Sequence, residues 1–310
     1  MINRRDFAAS IGIGTIGALT ALSIPAGASA RTAPAPVQPP KGPWTSFGQI
    51  QRAGGILHYA EIGPKDSTQP PIILLHKLGG WLSDWRFVAP LLAEGRRVIA
   101  FDLPGHGGSH WASPPPYIQT LGETAALLVG ALEEMGIAQI DLIGTSLGGC
   151  LSVPLAGYWP DKVRKLALVS CALNIGHDLT YIRKNVDEGQ RNLYDAKGYP
   201  VPTPPELLTQ IFGIINAKTI NDEGILSRRA AGLWIQPSER GVGLADIQAL
   251  LRRVEAPTLL LYGDRDKAYV KFQKAASAAL KTSKTQYVPD AGAFVMQDNP
   301  AATAKILRDF

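Results

Sequence analysis

Cysteine is scarce in this 310-residue chain, with two residues, as are histidine, with five, and charged side chains, at 18%. Two cysteines cannot build the disulfide framework of a small secreted scaffold. Five histidines leave few arrangements for a metal site, and neither a metal nor a cofactor is expected. Clusters of Lys and Arg are missing too: 31 basic against 26 acidic residues leave +5 spread along the chain, which argues against a nucleic-acid partner. Beyond the N-terminal run, no stretch is apolar and long enough to span a bilayer, and there is no internal repeat. What the chain does have is 45% hydrophobic residues, 32 Gly and 24 Pro. That balance excludes a disordered or collagen-like chain and can fill the core of one large α/β domain or two ordinary ones.

Residues 1–30 read as an export signal: Asn3-Arg4-Arg5-Asp6-Phe7, an apolar run from Ala8 to Ile24, then Ala28-Ser29-Ala30 as the cleavage site. The pattern resembles a twin-arginine signal, which implies the export machinery as a partner of the precursor and a periplasmic or secreted destination. Gly12, Gly14, Gly17 and Pro25 interrupt the run and speak against a membrane span. Removing Arg4, Arg5 and Asp6 leaves a mature charge of +4. Residues 31–43, rich in Pro, read as an extended leader. Cys150 and Cys171 sit in apolar surroundings, so buried free thiols are expected rather than a disulfide.

From Ile56 onward short strand-like runs alternate with helical patterns. The strands expected are 56–61, 72–76, 97–102, 140–144, 165–170, 258–263 and 285–288, several of them apolar throughout, as strands buried on both faces are. Helices are expected over 85–92, 119–135, 147–158 and 269–280, with a last one from Ala301. The alternation predicts an α/β fold with a mostly parallel sheet and helices on both faces. Between residues 173 and 243 the rhythm breaks into charged helical stretches, Tyr181 to Asp195 among them, around a Pro-rich run. An insertion of this length should carry helical structure of its own. The domain plan is therefore a core over 44–172 and 244–310, interrupted by a helical cap over 173–243.

Gly144-Thr145-Ser146-Leu147-Gly148 follows an expected strand and opens an expected helix, the context in which G-x-S-x-G is a nucleophile elbow. Small residues let the backbones approach, the turn lifts Ser146 Oγ clear of the sheet, and the Leu147 N–H at the helix start can meet a developing oxyanion.

Here the chain resembles the α/β-hydrolase superfamily, over nearly all of residues 44–310. His76-Lys77-Leu78-Gly79-Gly80 is similar to the family's oxyanion loop, and Asp102-Leu103-Pro104-Gly105-His106-Gly107-Gly108-Ser109 to its D-x-P-G-x-G-x-S turn. Tyr262-Gly263-Asp264-Arg265-Asp266 matches the segment carrying the triad acid, which puts Asp266 in that role with Asp264 as the alternate. Asp290-Ala291-Gly292-Ala293-Phe294, followed by Asn299-Pro300, matches the last segment. The resemblance implies a helical cap, a Ser146 nucleophile, oxyanion donors at Leu78 and Leu147, and a small-molecule acyl substrate such as an ester or lactone. Carbon–carbon bond hydrolases and cofactor-free haloperoxidases share the serine elbow and stay open.

Two positions depart from the family pattern. The base of the triad belongs where this chain has Ala293, and no histidine follows His177. An alanine methyl can neither take the serine proton nor return it, and loss of a triad base removes on the order of a million-fold in turnover. Lys77 stands where the family usually has Gly; a negative φ would make it tolerable, as a surface lysine or as a cation at the pocket mouth. Of the five histidines, His177 at the start of the insertion is the one placed to swing over Ser146, while His76 and His106 read as loop braces. Trp81, Trp85 and Trp111 either line an apolar pocket or pack beneath the cap. Two functions follow: a serine hydrolase weakened by Ala293, or a non-catalytic relative that binds a small apolar ligand under the cap.

Overall fold

Strands β3 (Ile72–Leu75) and β4 (Val98–Phe101) are buried at every position, and so are β6 (Ile140–Thr145) and β8 (Thr258–Gly263). Strands without a polar face need helices on both sides, and the chain supplies them. The computed structural model describes residues 42–310, which carry one nine-stranded sheet; the export signal and all but the last two residues of the leader lie outside them. With β1 (Ser46–Arg52), β2 (Gly55–Ile62), β7 (Val163–Val169) and β9 (Ser283–Val288), the order is β1-β2-β4-β3-β6-β7-β8-β9. A two-residue β5 (His110–Trp111) pairs with β2. The pairs from β4 through β9 are parallel; β2 runs antiparallel to β1, β4 and β5.

The order places sites. From β3 the chain crosses to β4 on one side, and β6 then pairs with β3 on the other, so the loops after β3 and β6 diverge around one crevice at the carboxyl edge. Such a switch point is where open α/β sheets hold their ligands. The loop after β3 is His76–Gly80, and the loop after β6 is Ser146.

Two strands are absent from the sequence expectation. β1 carries a mostly exposed face, with Phe47 58% exposed, and so lacks the apolar run by which the others are recognised. Of the expected helices, 147–158 is found as read, whereas 85–92 resolves into a 3-10 turn at Leu82–Trp85 and a helix at Ala89–Leu92 with Pro90 in its first turn. The stretch 269–280 likewise begins with a 3-10 turn, Val270–Phe272, before the helix Gln273–Ala279.

Between β7 and β8 the regular elements are helical, apart from an isolated bridge between Tyr194 and Pro200. The charged stretch from Tyr181 is a short α-helix, Leu179–Ile182, running into a π-helical turn, Arg183–Glu188. The helices Ala217–Ala231 and Ile235–Leu244 lie over the carboxyl-edge loops. A Cβ on Gly79 would meet Arg228 Cγ at 2.8 Å, and one on Gly105 would meet the Trp234 ring at 2.0 Å. Cys150 and Cys171 are buried free thiols, and burial pushes Cys150 up to about 12. No described helix is long and apolar enough to cross a membrane.

Candidate active site

Ser146 has φ 49° and ψ −115°, a conformation that L-residues with a side chain rarely adopt. The turn is held from three sides: Ser146 N–H donates to Val169 O at 3.1 Å, Gly148 N–H to His76 O at 3.0 Å, and Cys150 N–H to Ser146 O at 2.9 Å. It closes because two glycines permit the approach. A Cβ on Gly144 would lie 2.3 Å from Gly148 O, and one on Gly148 would lie 2.5 Å from Leu75 O. The Leu147 N–H heads the helix Leu147–Tyr158 and, as a first-turn donor, has no intrahelical acceptor, the residue four back lying in β6.

The second expected donor sits on a turn built to free it. Gly80 N–H closes onto Lys77 O at 2.9 Å and Gly79 has φ +66°, the pattern of a type II turn with Leu78 in its second position. The turn hydrogen bond does not use the Leu78 N–H. His76 fixes the base of this loop. Its Nε2 accepts from Leu103 N–H at 2.9 Å, so the ring proton is on Nδ1 and donates to Lys77 O at 2.7 Å. Burial, together with the neighbouring His106, holds His76 down to about 3, which keeps it neutral. Asp102 ties the next turn, accepting from Leu82 N–H at 2.7 Å and Gly108 N–H at 2.8 Å and meeting His58 Nδ1 at 2.8 Å.

Of the two candidate acids, Asp264 is exposed and accepts from the backbone N–H groups of Asp290 and Ala291 at 3.1 and 3.2 Å. Asp266 is 5% exposed and points inward. Its Oδ1 accepts from Ala268 N–H and Tyr269 N–H, each at 2.9 Å. Its Oδ2 is buried and makes no hydrogen bond of regular geometry; the Ser170 hydroxyl lies near the carboxylate, likewise without one, close enough to favour its charged form. Burial pushes the Asp266 carboxyl up, opposed by the Tyr269 N–H, the Ser170 hydroxyl and the Ala268 N–H. A buried carboxylate oxygen without a regular hydrogen bond is a costly arrangement. An imidazole N–H would answer it.

Ala293 is fully buried, and its N–H donates to Phe212 O at 2.9 Å, so the insertion holds the last loop in place. The Ser146 hydroxyl meets the Tyr269 hydroxyl at 3.4 Å. Sequence reading did not single out Tyr269; three residues past Asp266, it read as the start of a helix. The Tyr269 ring lies 6.0 Å from Phe212, which stacks in turn on Phe294 at 5.5 Å.

Lys77 is not the surface lysine that was one of its two expected readings. Only 7% exposed, it pairs through Nζ with Asp84 at 2.6 Å, donates to Gln297 Oε1 at 3.2 Å and lies 5.1 Å above the Phe294 ring. Its φ is not positive, so the loop needs no glycine there. Lys77 thus pins the loop after β3 to the turn after Ala293. Trp81 and Trp85 pack rather than line a pocket: both are buried, and Trp85 Nε1 donates to Leu75 O at 3.1 Å. Trp111 packs against Trp234, ring centroids 5.9 Å apart, and both line an open groove of about 640 Å³ whose lining lacks Ser146, Asp266 and Ala293. His177 stacks on Tyr181 at 4.0 Å, with its N–H held by Gly243 O, and Ser146 Oγ is paired with Tyr269 instead. Among the described residues, no group of three or more His, Cys, Asp or Glu could hold a metal ion.

The alpha/beta hydrolase family profile matches residues 72–306, which takes in the loop after β3, Ser146, Asp266 and Ala293. The chain belongs to the α/β hydrolase family. The chain is 31% identical over 253 residues to a dihydrolipoyllysine-residue acetyltransferase component of the acetoin cleaving system of Pseudomonas putida, across 79% of its own length and 64% of that protein. It therefore spans less than two thirds of that relative. It is 28% identical to a 2-hydroxymuconate semialdehyde hydrolase of Pseudomonas sp. strain CF600, over 77% of its own chain and 86% of the relative. A thermophilic esterase from Thermogutta terrifontis superposes with a TM-score of 0.69 at 19% identity, covering 86% of this chain and 97% of the esterase. At that identity the superposition speaks for the fold, and the α/β-hydrolase architecture expected from the sequence is the one found.

Proposed function

We propose that this α/β hydrolase is an exported serine hydrolase acting on an ester, a lactone or a related acyl compound, with its turnover strongly reduced because Ala293 occupies the base position. The observation that carries the reading is the strained Ser146, set at φ 49° between β6 and its helix at the switch point of the sheet. Ser146 Oγ would attack the carbonyl carbon, and the N–H groups of Leu78 and Leu147 would hold the oxyanion. Asp266 is the acid; its Oδ2, without a regular hydrogen bond, supports an imidazole as the missing neighbour. The helices between β7 and β8 would act as the cap, with Phe212 and Arg228 reaching the loops around Ser146. The twin-arginine pattern at Arg4-Arg5 supports export, and with it a periplasmic or secreted site of action.

The names of the relatives support a hydrolase of small acyl or semialdehyde compounds, and solved structures of the same fold include an enol-lactonase and a naproxen esterase. The alternative, a non-catalytic binder of a small apolar ligand, draws on Ala293 alone.

A panel of p-nitrophenyl esters and lactones given to the Ala293→His chain, with and without Ser146→Ala, tests the proposal. Turnover that needs Ser146 supports it. Turnover that survives Ser146→Ala would remove the serine from the reaction.

A further inference from the structure

Among the described residues, the side chain that hydrogen-bonds to Ser146 Oγ is Tyr269, through its hydroxyl at 3.4 Å. That contact is built from both ends. The Tyr269 N–H is held by Asp266 Oδ1 at 2.9 Å, and its ring lies against Phe212 at 6.0 Å and is 4% exposed. The carboxylate that the family reading assigns to an imidazole therefore also fixes the backbone from which this phenol reaches the serine. We propose that Tyr269 is a catalytic residue whose hydroxyl donates a hydrogen bond to Ser146 Oγ and stabilises that oxygen whenever it carries negative charge.

The direction of the bond follows from acidity. A phenol is far more acidic than an alcohol, so Tyr269 donates and the serine oxygen accepts. Burial pushes the Tyr269 hydroxyl above its ordinary range, so it keeps its proton. The role is a hydrogen bond without proton transfer. It applies twice in a serine mechanism: as Oγ forms its bond to the acyl carbon, and as the same oxygen leaves the acyl-enzyme after water attacks. Without an imidazole at 293, the Oγ proton must pass to hydroxide, and the phenol is the side chain placed to lower the barrier to that loss. A hydrogen bond to a charged oxygen is worth more than one between neutral groups.

The inference rests on the reading of Ser146 as nucleophile, and covalent labelling separates the two. A fluorescent fluorophosphonate forms an Oγ–P bond with loss of fluoride, while the Oγ proton goes to hydroxide and Tyr269 keeps its own. For the chain as written, the labelling rate should rise about tenfold per pH unit between roughly pH 7 and 9.5, as expected for removal of the serine proton by hydroxide. The titratable groups facing Tyr269 are Asp266 on its own loop, Cys150 on the helix after Ser146 and Cys171 after β7; burial pushes all three upward. Tyr269→Phe should label roughly tenfold more slowly across this range, with the slope unchanged. A 3-fluorotyrosine at 269, a stronger donor, should label faster than the parent near pH 7, which guards against a folding defect in the phenylalanine variant. Equal rates for all three chains would overturn the inference and leave the serine reading intact. Labelling that persists in Ser146→Ala, or that fails in every chain, would overturn both.

Discussion

Lys77 and His76 are adjacent residues with opposite solutions to burial. The ammonium of Lys77 is kept by a carboxylate, Asp84, and by Gln297, 220 residues away in the chain. His76 is neutral, with each ring nitrogen committed to backbone. Removing one side of the buried pair should be expensive: Lys77→Met strands the Asp84 carboxylate and should lower stability by about 3–5 kcal/mol in urea unfolding, whereas Lys77→Met with Asp84→Leu should recover much of that loss. For His76, the folded state refuses a proton that the unfolded chain accepts below its ordinary value of 6.5. Its contribution to stability is therefore full above about pH 6.5 and shrinks as pH falls toward about 3. A ring ¹⁵N spectrum should show the Nδ1–H form unchanged between pH 8 and 5. Ser146, Asp266 and Ala293 were legible in the sequence because each lies in a short motif at the end of a strand. Tyr269 and the burial of Lys77 were not, because their significance depends on partners far along the chain.

At the scale of elements, strands that are apolar on both faces announce themselves, and β3, β4, β6 and β8 stand within a residue or two of their expected places. β1 escaped because an edge strand with one exposed face carries little hydrophobic signal. Helix starts were misjudged where a 3-10 turn precedes the helix, at Leu82–Trp85 and Val270–Phe272, since i,i+3 and i,i+4 spacings look alike over one turn. The elbow itself depends on two elements passing at contact distance. Gly148→Ala would press a methyl to 2.5 Å from Leu75 O, so the helix must shift or the turn must open. Expected is a loss of about 1–3 kcal/mol in stability, with a further fall in the reactivity of Ser146 toward a fluorophosphonate. An unchanged melting temperature together with unchanged labelling would show that this contact does not set the elbow.

Across the whole molecule, the segment between β7 and β8 touches the loops that hold Ser146, Ala293 and Leu78, and it carries its own buried acid. Glu239 accepts from Gln190 at 2.6 Å and lies near Tyr194, Arg228 and Arg240; burial pushes it up to about 7 against those partners. Between about pH 4.5 and 7 the folded chain holds a proton there that the unfolded chain has lost, so Glu239 weakens the fold as pH rises through that window. Glu239→Gln should therefore gain melting temperature relative to the parent at pH 8, and the gain should fade toward pH 4.5. Arg228 lies close to this acid, and its side-chain carbons rest on Gly79, so the insertion meets the loop after β3 beside Glu239. The account as a whole turns on position 293. The ratio of kcat on a short p-nitrophenyl ester for Ala293→His over the chain as written measures it directly, with Asp266→Asn as the companion in both backgrounds. A gain on the order of 10³-fold or more that Asp266→Asn largely cancels is the predicted result; no gain, or a gain indifferent to Asp266, would contradict it.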